Sequence, residues 1–144
     1  MGEYSPWADL AARYPGVHVE RCDCRPARGV LVLEERVILL SRDLDWAGRR
    51  STLAHEIAHL DLDHNPTGHR HFDARQERHA DLLAARRLLT LDDLARVVGW
   101  TMSTVEAAAE LGVTHQHLQL RVEHLHPAER HALRRLTQVT EGAA

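Results

Sequence analysis

The first third of the chain has a pattern of hydrophobic and polar positions that predicts one helix and three short strands. Ser5 followed by Pro6 is typical of a helix start, because serine caps the first turn and proline suits its first position. Three short apolar or alternating stretches come next, at residues 17–20, 29–33 and 37–40. Glu34 and Glu35 separate the last two stretches, so we predict a hairpin and a three-stranded antiparallel sheet.

From about residue 45 onward the spacing of hydrophobic residues becomes helical. A first helix is predicted to about residue 62, the Asn-Pro-Thr-Gly stretch at 65–68 breaks the chain, and a second helix follows over residues 73–89. The remainder predicts three or four further helices. We therefore predict an α+β protein, in which a small sheet packs on the helix pair within residues 1–89. A mostly helical segment covers residues 90–144.

The first of these helices contains the sequence His55-Glu56-Ile57-Ala58-His59. Residues four apart lie on one face of a helix, so the two imidazoles point toward a common centre that suits one zinc ion. Glu56 lies about 100° further round the helix. It can therefore reach a metal-activated water as a general base without being a ligand. This spacing favours a zinc-dependent peptidase.

A catalytic zinc ion needs a third protein ligand, and the second helix supplies one. Glu77 is the preferred candidate, because that helix can bring its carboxylate back to His55 and His59. Asp81 follows one helical turn later on the same face as Glu77. A carboxylate at that position can accept the N–H of either histidine and so orient its ring.

Other histidines offer alternatives to this arrangement. His64, just past the first helix, and His79, in the second, are alternative ligands. His71 lies in the predicted breaker loop, where a lid contact or a hydrogen bond to the transition state is the alternative to simple exposure. A closed set of four ligands that included His64 or His79 would make the zinc structural rather than catalytic.

Composition and charge narrow the remaining classes of function. The net charge is −3 with histidine neutral, which argues against a protein that mainly grips nucleic-acid phosphates. No apolar run approaches the roughly 20 residues that span a bilayer, and no signal peptide is evident. We therefore expect a cytoplasmic protein without membrane contact. Cys22 and Cys24 are separated by one residue, so we expect reduced thiols rather than a disulfide.

The C-terminal segment contains a pattern similar to a helix-turn-helix. Gly112 occupies the turn and Thr114 is a helix N-cap. The following helix has an apolar face formed by Leu118, Val122 and Leu125. Its only fixed positive charge is Arg121, whereas a helix that reads DNA is usually basic. We therefore expect packing or docking of a protein partner, and direct DNA binding is unlikely.

Two segments together resemble the ImmA/IrrE family of metallopeptidases. The first is the His-Glu-x-x-His motif followed by Leu60. The second, on the next helix, reads Glu77-x-x-Ala80-Asp81-x-x-Ala84-Ala85-x-x-Leu88-Leu89. The spacing of Glu77 and Asp81 also resembles that of gluzincins. Departures from the family pattern are His79, where glutamate or glutamine is frequent, and Leu83, where phenylalanine is usual.

The resemblance implies a zincin-like core that holds one catalytic Zn²⁺, with Mn²⁺ as a substitute in vitro. His55, His59 and Glu77 would be the ligands, Glu56 the general base and Asp81 the supporting carboxylate. The implied substrate is a helix-turn-helix transcriptional repressor of a phage, a mobile element or a stress response. The alternative is a non-catalytic regulatory module with structural or vestigial zinc, which binds a repressor or DNA through its C-terminal helices.

Overall fold

The computed structural model describes residues 3–101 and 103–142, and side chains only as far as residue 138. Within these residues the strands are β1 (His18–Cys22), β2 (Gly29–Val32) and β3 (Val37–Ser41). The helices are α1 (Pro6–Arg13), α2 (Trp46–Asp61), α3 (Arg70–Leu88), α4 (Leu91–Val98), α5 (Thr104–Leu111), α6 (His115–Glu123) and α7 (Pro127–Gly142). The predicted α+β class is confirmed. No helix in this described part has both the length and the apolar character needed to cross a membrane.

The three strands form a mixed sheet in the order β1-β3-β2. The predicted hairpin is confirmed, because β2 pairs antiparallel with β3. The prediction that all three strands are antiparallel is wrong, since β1 pairs parallel with β3, with Cys22 opposite Ser41. The most thoroughly buried strand, β3, takes the centre, and the chain passes round its end through residues 23–28. The order of the strands in the sheet therefore differs from their order along the chain.

Cys22 and Cys24 form a disulfide, so the prediction of reduced thiols is wrong. Cys22 ends β1, and Cys24 lies in the bend that follows it. In a regular strand, the Cα atoms of residues i and i+2 are about 6.6 Å apart. The bend reduces this distance to 5.6 Å, which is within the range of ordinary disulfides.

Helix α2 lies between the sheet and α3, and its two sides belong to different hydrophobic clusters. Leu53 and Ile57 pack with Ile38 and Leu40 of β3 in the first cluster. Ala54 packs in the second cluster, with residues of α3, α4, α5 and α6. The side chain of Asp45 caps the first turn by accepting a hydrogen bond from the amide of Gly48 at 2.8 Å. Because α2 lies between the sheet and α3, few of its side chains are exposed.

Helix α3 begins at Arg70, three residues before its predicted start. Ala80 and Ala84 are completely buried. Their small side chains let α3 approach α2 closely. The close approach brings the polar residues of the two helices into contact, and these residues form the site described below.

The C-terminal helices are fixed to the N-terminal end of α2. Gly112 ends α5 with a left-handed φ of 65°, as the predicted turn requires. The buried guanidinium of Arg50 donates to the carbonyl oxygens of Leu111 and Gly112, both at 3.0 Å. The amide of Thr114 donates to Oγ of Ser51 at 3.1 Å. Two consecutive residues of α2 therefore hold the turn between α5 and α6.

The predicted apolar face of the C-terminal segment is confirmed in part, because Leu118 and Leu125 are buried. His117, Leu118 and Arg121 point inward, whereas Val122 is 46% exposed. Arg121 can be buried because its Nε donates to the carbonyl oxygen of Leu89 at 2.9 Å and its Nη2 binds the Glu129 carboxylate at 2.6 Å. The buried side of α6 therefore combines the apolar Leu118 with hydrogen-bonded polar side chains.

Candidate metal centre

Three side chains from α2 and α3 bring their donor atoms to one point. Nε2 of His55 lies 3.0 Å from Nε2 of His59. The carboxylate of Glu77 spans both rings, with Oε2 3.1 Å from His55 and Oε1 2.9 Å from His59. The rings are largely buried, whereas the side chain of Glu77 is 60% exposed. The cluster therefore has a protein-facing side and a side open to solvent.

The donor set fits a zinc ion of the catalytic type. Two imidazole nitrogens and one carboxylate form a recognised ligand set for such sites, which keep one further position for water or substrate. The donor atoms of His55, His59 and Glu77 all lie within 4.8 Å of one another. Among the residues described, neither His64 nor His79 joins this group, so a fourth protein ligand is not brought to the same point.

Asp81 supports the ring of His55 from its other side. Nδ1 of His55 lies 2.8 Å from Oδ1 of Asp81, so with a metal bound Nδ1 would carry the proton and Nε2 would offer its lone pair to the ion. Burial lowers the pKa of His55, but the hydrogen bonds to Asp81 and Glu77 outweigh it and raise that pKa to about 10. Hydrogen bonds from His55 and His59 in turn lower the pKa of Glu77 to about 2.

His64 occupies the corresponding place beside His59. Its Nδ1 lies 3.0 Å from Nδ1 of His59, on the opposite edge of that ring from Nε2. His79 is exposed and stacks on the ring of His64 at a centroid distance of 6.4 Å. His71 lies in the first turn of α3 rather than in a loop, and its exposed ring contacts Phe72. These histidines therefore surround the donor cluster instead of entering it.

Glu56 lies against the strand β2 at the edge of the same site. Its side chain is only 6% exposed, and it makes no hydrogen bond to any of the described residues. Burial raises the pKa of Glu56, and the two neighbouring imidazoles offset part of that rise. A Cβ atom at Gly29 would lie 2.6 Å from Cγ2 of Thr52 and 3.4 Å from Oε1 of Glu56. The glycine therefore lets β2 lie directly over the carboxylate.

The donor cluster opens into a cleft of about 580 Å³. This volume is in the usual range for ligand sites. The cleft is bounded by one strand and three helices, through Gly29, Val30 and Leu31 of β2, Thr52, His55, Glu56 and His59 of α2, Gln76, Glu77 and Asp81 of α3, and Gln116 and His117 of α6. β2, which contributes to this lining, is an edge strand, and within residues 3–101 and 103–142 no second strand pairs with its outer edge.

Comparison with known protein families gives a match to the Peptidase_M78 family model, described as the IrrE N-terminal-like domain, over residues 12–123. The chain belongs to this family. The match confirms the resemblance to ImmA/IrrE proteins, and it covers every element that lines the cleft. Neither the curated proteins nor the solved structures give a match. The boundary between residues 89 and 90 stays a prediction, although the IrrE-like match runs across it.

One residue of this IrrE-like cleft, His117, was given no role by the sequence analysis. His117 is 5% exposed, and its Nε2 lies 3.5 Å from Oδ1 of Asp81. The spacing of His117, Leu118 and Arg121 places them on one face of α6, which is a weak signal for burial. Nothing in the sequence connects that face with Asp81, because the contact depends on how α6 docks.

Proposed function

We propose that this protein is a zinc-dependent endopeptidase with a gluzincin-like site. The observation that carries the proposal is the convergence of His55, His59 and Glu77 at the floor of a cleft that also contains Glu56. Membership of a metallopeptidase family supports the same reaction class. His55, His59 and Glu77 would hold the ion, which we take to be Zn²⁺, with Mn²⁺ as a substitute in vitro.

The chemistry divides between the ion and Glu56. When bound, zinc supplies a Lewis acid that polarises the scissile carbonyl and makes a water molecule more acidic. Glu56 accepts a proton from the attacking water and passes it to the leaving amine. Its burial supports this role, because a carboxylate with a raised pKa is better matched to carrying a proton near neutral pH. Asp81 keeps the His55 ring in the required tautomer and orientation.

The edge strand β2 supports a peptide as the substrate. An extended peptide can add to an exposed strand edge through backbone hydrogen bonds, and β2 passes directly beside Glu56. We propose that the natural target is a helix-turn-helix transcriptional repressor of a phage, a mobile element or a stress response. This identity rests on the resemblance to ImmA/IrrE proteins, in which repressors of this class are the substrates.

The substitution Glu56→Gln tests the proposed reaction. It keeps the shape of the side chain but removes the base, so cleavage of a co-encoded repressor should fall by about 10²–10⁴-fold. Zinc content should remain at the wild-type level, because Glu56 is not a proposed ligand. The exposed Glu110→Gln is the matched control and should cleave normally. Wild-type cleavage rates in Glu56→Gln would refute the assignment of the general base.

The alternative is a non-catalytic regulatory module that binds a repressor or DNA. Its DNA-binding form has little support, because Arg121, the one arginine of α6, is buried against Leu89 and Glu129. The exposed positions of α6 therefore present no fixed positive charge, and they include Glu123. Its repressor-binding form predicts that wild type and Glu56→Gln both bind the repressor and both leave it intact.

A further inference from the structure

His117 has a buried ring nitrogen that makes no hydrogen bond of normal length. Its Nε2 is sealed from solvent and has no hydrogen-bond partner among the described residues. The acceptor that faces it is Oδ1 of Asp81 at 3.5 Å, the same oxygen that binds Nδ1 of His55 at 2.8 Å. Ring nitrogens of His55 and His117 and a carboxylate oxygen of Asp81 lie within 4.8 Å of one another. Asp81 is therefore shared between a proposed metal ligand and α6.

The contact on the other side of the His117 ring allows Nε2 to face Asp81 as a donor. Oγ1 of Thr114 accepts a hydrogen bond from the amide of His117 at 3.2 Å and lies 2.7 Å from its Nδ1. The hydroxyl hydrogen of Thr114 can donate to Nδ1, which leaves the ring proton on Nε2. A carboxylate can only accept, so this tautomer gives the contact with Asp81 the correct polarity.

The position of α6 is determined by both helices that carry the proposed ligands. At its start, Thr114 is bonded to Ser51 of α2. Near its end, Arg121 is bonded to the carbonyl oxygen of Leu89, directly after α3. Between these anchors, Leu118 is buried in the cluster that contains residues of α2 and α3. His117 is therefore held in a fixed place relative to Asp81.

We propose that His117 is a positioning residue of the metal site: it holds the carboxylate of Asp81, which in turn orients His55. The proposal rests on the proposed function, since it takes His55 to be a zinc ligand. It gives the C-terminal helices a task inside the peptidase site. His117 does not touch the substrate in this role, because its Nε2 is buried and faces Asp81.

Two amide substitutions distinguish the contact of the His117 Nδ1 atom from that of its Nε2 atom. His117→Asn places an amide near Nδ1 and keeps the contact with Thr114, whereas His117→Gln reaches the place of Nε2 and Asp81. Zinc affinity, measured by competition with a chromophoric chelator on the full chain, needs no cleavage assay. We expect His117→Asn to lower zinc affinity by about tenfold, as is typical when an outer partner of a ligand is lost. His117→Gln should stay within about threefold of wild type.

A double substitution tests the route through Asp81. If His117 acts only through Asp81, the variant with both His117→Asn and Asp81→Asn should bind zinc within about twofold of Asp81→Asn alone. The proposal would be overturned if the losses of zinc affinity in His117→Asn and Asp81→Asn were additive. It would also be overturned if His117→Asn and His117→Gln lost equal zinc affinity, or if His117→Asn kept wild-type affinity. A second zinc ion per chain that disappears in His117→Asn would also overturn it, by making this cluster a metal site.

Two further measurements separate this result from other failures. His124→Gln, at an exposed position near the end of α6, is the matched control and should bind zinc as wild type does. Unfolding of the metal-free variants, followed by circular dichroism, identifies any variant that has lost its fold. If His117→Asn loses stability but keeps its zinc affinity, the proposed positioning role of His117 is refuted. A wild-type chain that binds no zinc would refute the proposed function instead.

Discussion

The two histidines of the proposed metal site are supported in different ways. His55 meets a carboxylate, Asp81, at 2.8 Å, and Asp81 is backed by His117 of α6. His59 meets another imidazole, His64, at 3.0 Å, in the segment that follows α2. An ionised acceptor forms a hydrogen bond about twice as strong as a neutral one. The His55 side therefore has the firmer support.

The difference also concerns what holds each supporting residue. Asp81 lies within α3, on a helix whose neighbouring positions Ala80 and Ala84 are buried. His64 follows Asp63, which has a positive φ of 52°, and the ring of His64 stacks on the exposed ring of His79. Regular, packed backbone fixes a side chain more rigidly than an exposed turn does. The ring of His55 should thus be preorganised, whereas that of His59 depends on a local turn.

The largest effect should come from Glu77, which both sides share. Glu77→Ala removes the carboxylate that contacts both rings, so zinc affinity should fall by more than the roughly 10–100-fold seen for outer partners. Chelator competition measures the loss. Arg78→Ala, at the next exposed position, controls for the change in α3 and should leave affinity unchanged. Full affinity in Glu77→Ala would transfer the role of third ligand to His64.

The next effect should come from the His55 side. Asp81→Asn keeps the size of the side chain but removes its charge, so the N–H of His55 loses an ionised acceptor. Zinc affinity should fall by about 10–100-fold, and activity at saturating zinc should fall less, because the ligands themselves remain. Asp92→Asn on the surface of α4 is the control. A loss below about threefold would mean that the two sides are supported equally.

Local spacing predicted the parts of this site that lie on single helices. His55, Glu56 and His59 share α2 at fixed helical offsets, and Glu77 and Asp81 share α3, so a 3.6-residue period was enough to group them. Their convergence needed only that the two helices pack against each other. The helix pair and the hairpin were predictable for the same reason, since each depends on neighbours in sequence.

Two of the features that the sequence did not predict depend on contacts between distant segments. The parallel pairing of β1 follows from β3 occupying the centre of the sheet, which local alternation does not encode. The contact of His117 with Asp81 requires α6 to dock, and the buried side of α6 includes the hydrogen-bonded Arg121 as well as the apolar Leu118. The pairing of β1 was predicted wrongly because neighbours in sequence were taken as neighbours in the sheet. The contact of His117 was missed because only the apolar residues of α6 were expected to be buried.

The smallest effect should come from the His59 side. His64→Ala removes the acceptor at Nδ1 of His59, but at this partly exposed position a water molecule can replace it. Zinc affinity should therefore fall by less than about tenfold, clearly less than in Asp81→Asn.

His79→Ala removes the ring that stacks on His64 without touching His59, so it serves as the control and should bind zinc within about twofold of wild type. The decisive comparison is between His64→Ala and Asp81→Asn under identical conditions. Equal losses would show that the turn after α2 orients its histidine as firmly as α3 orients His55. If His64→Ala lost more zinc affinity than Glu77→Ala, His64 itself would be a zinc ligand. The neighbours of His55 and His59 would then differ in function, because Asp81 would orient a ligand whereas His64 would bind the ion.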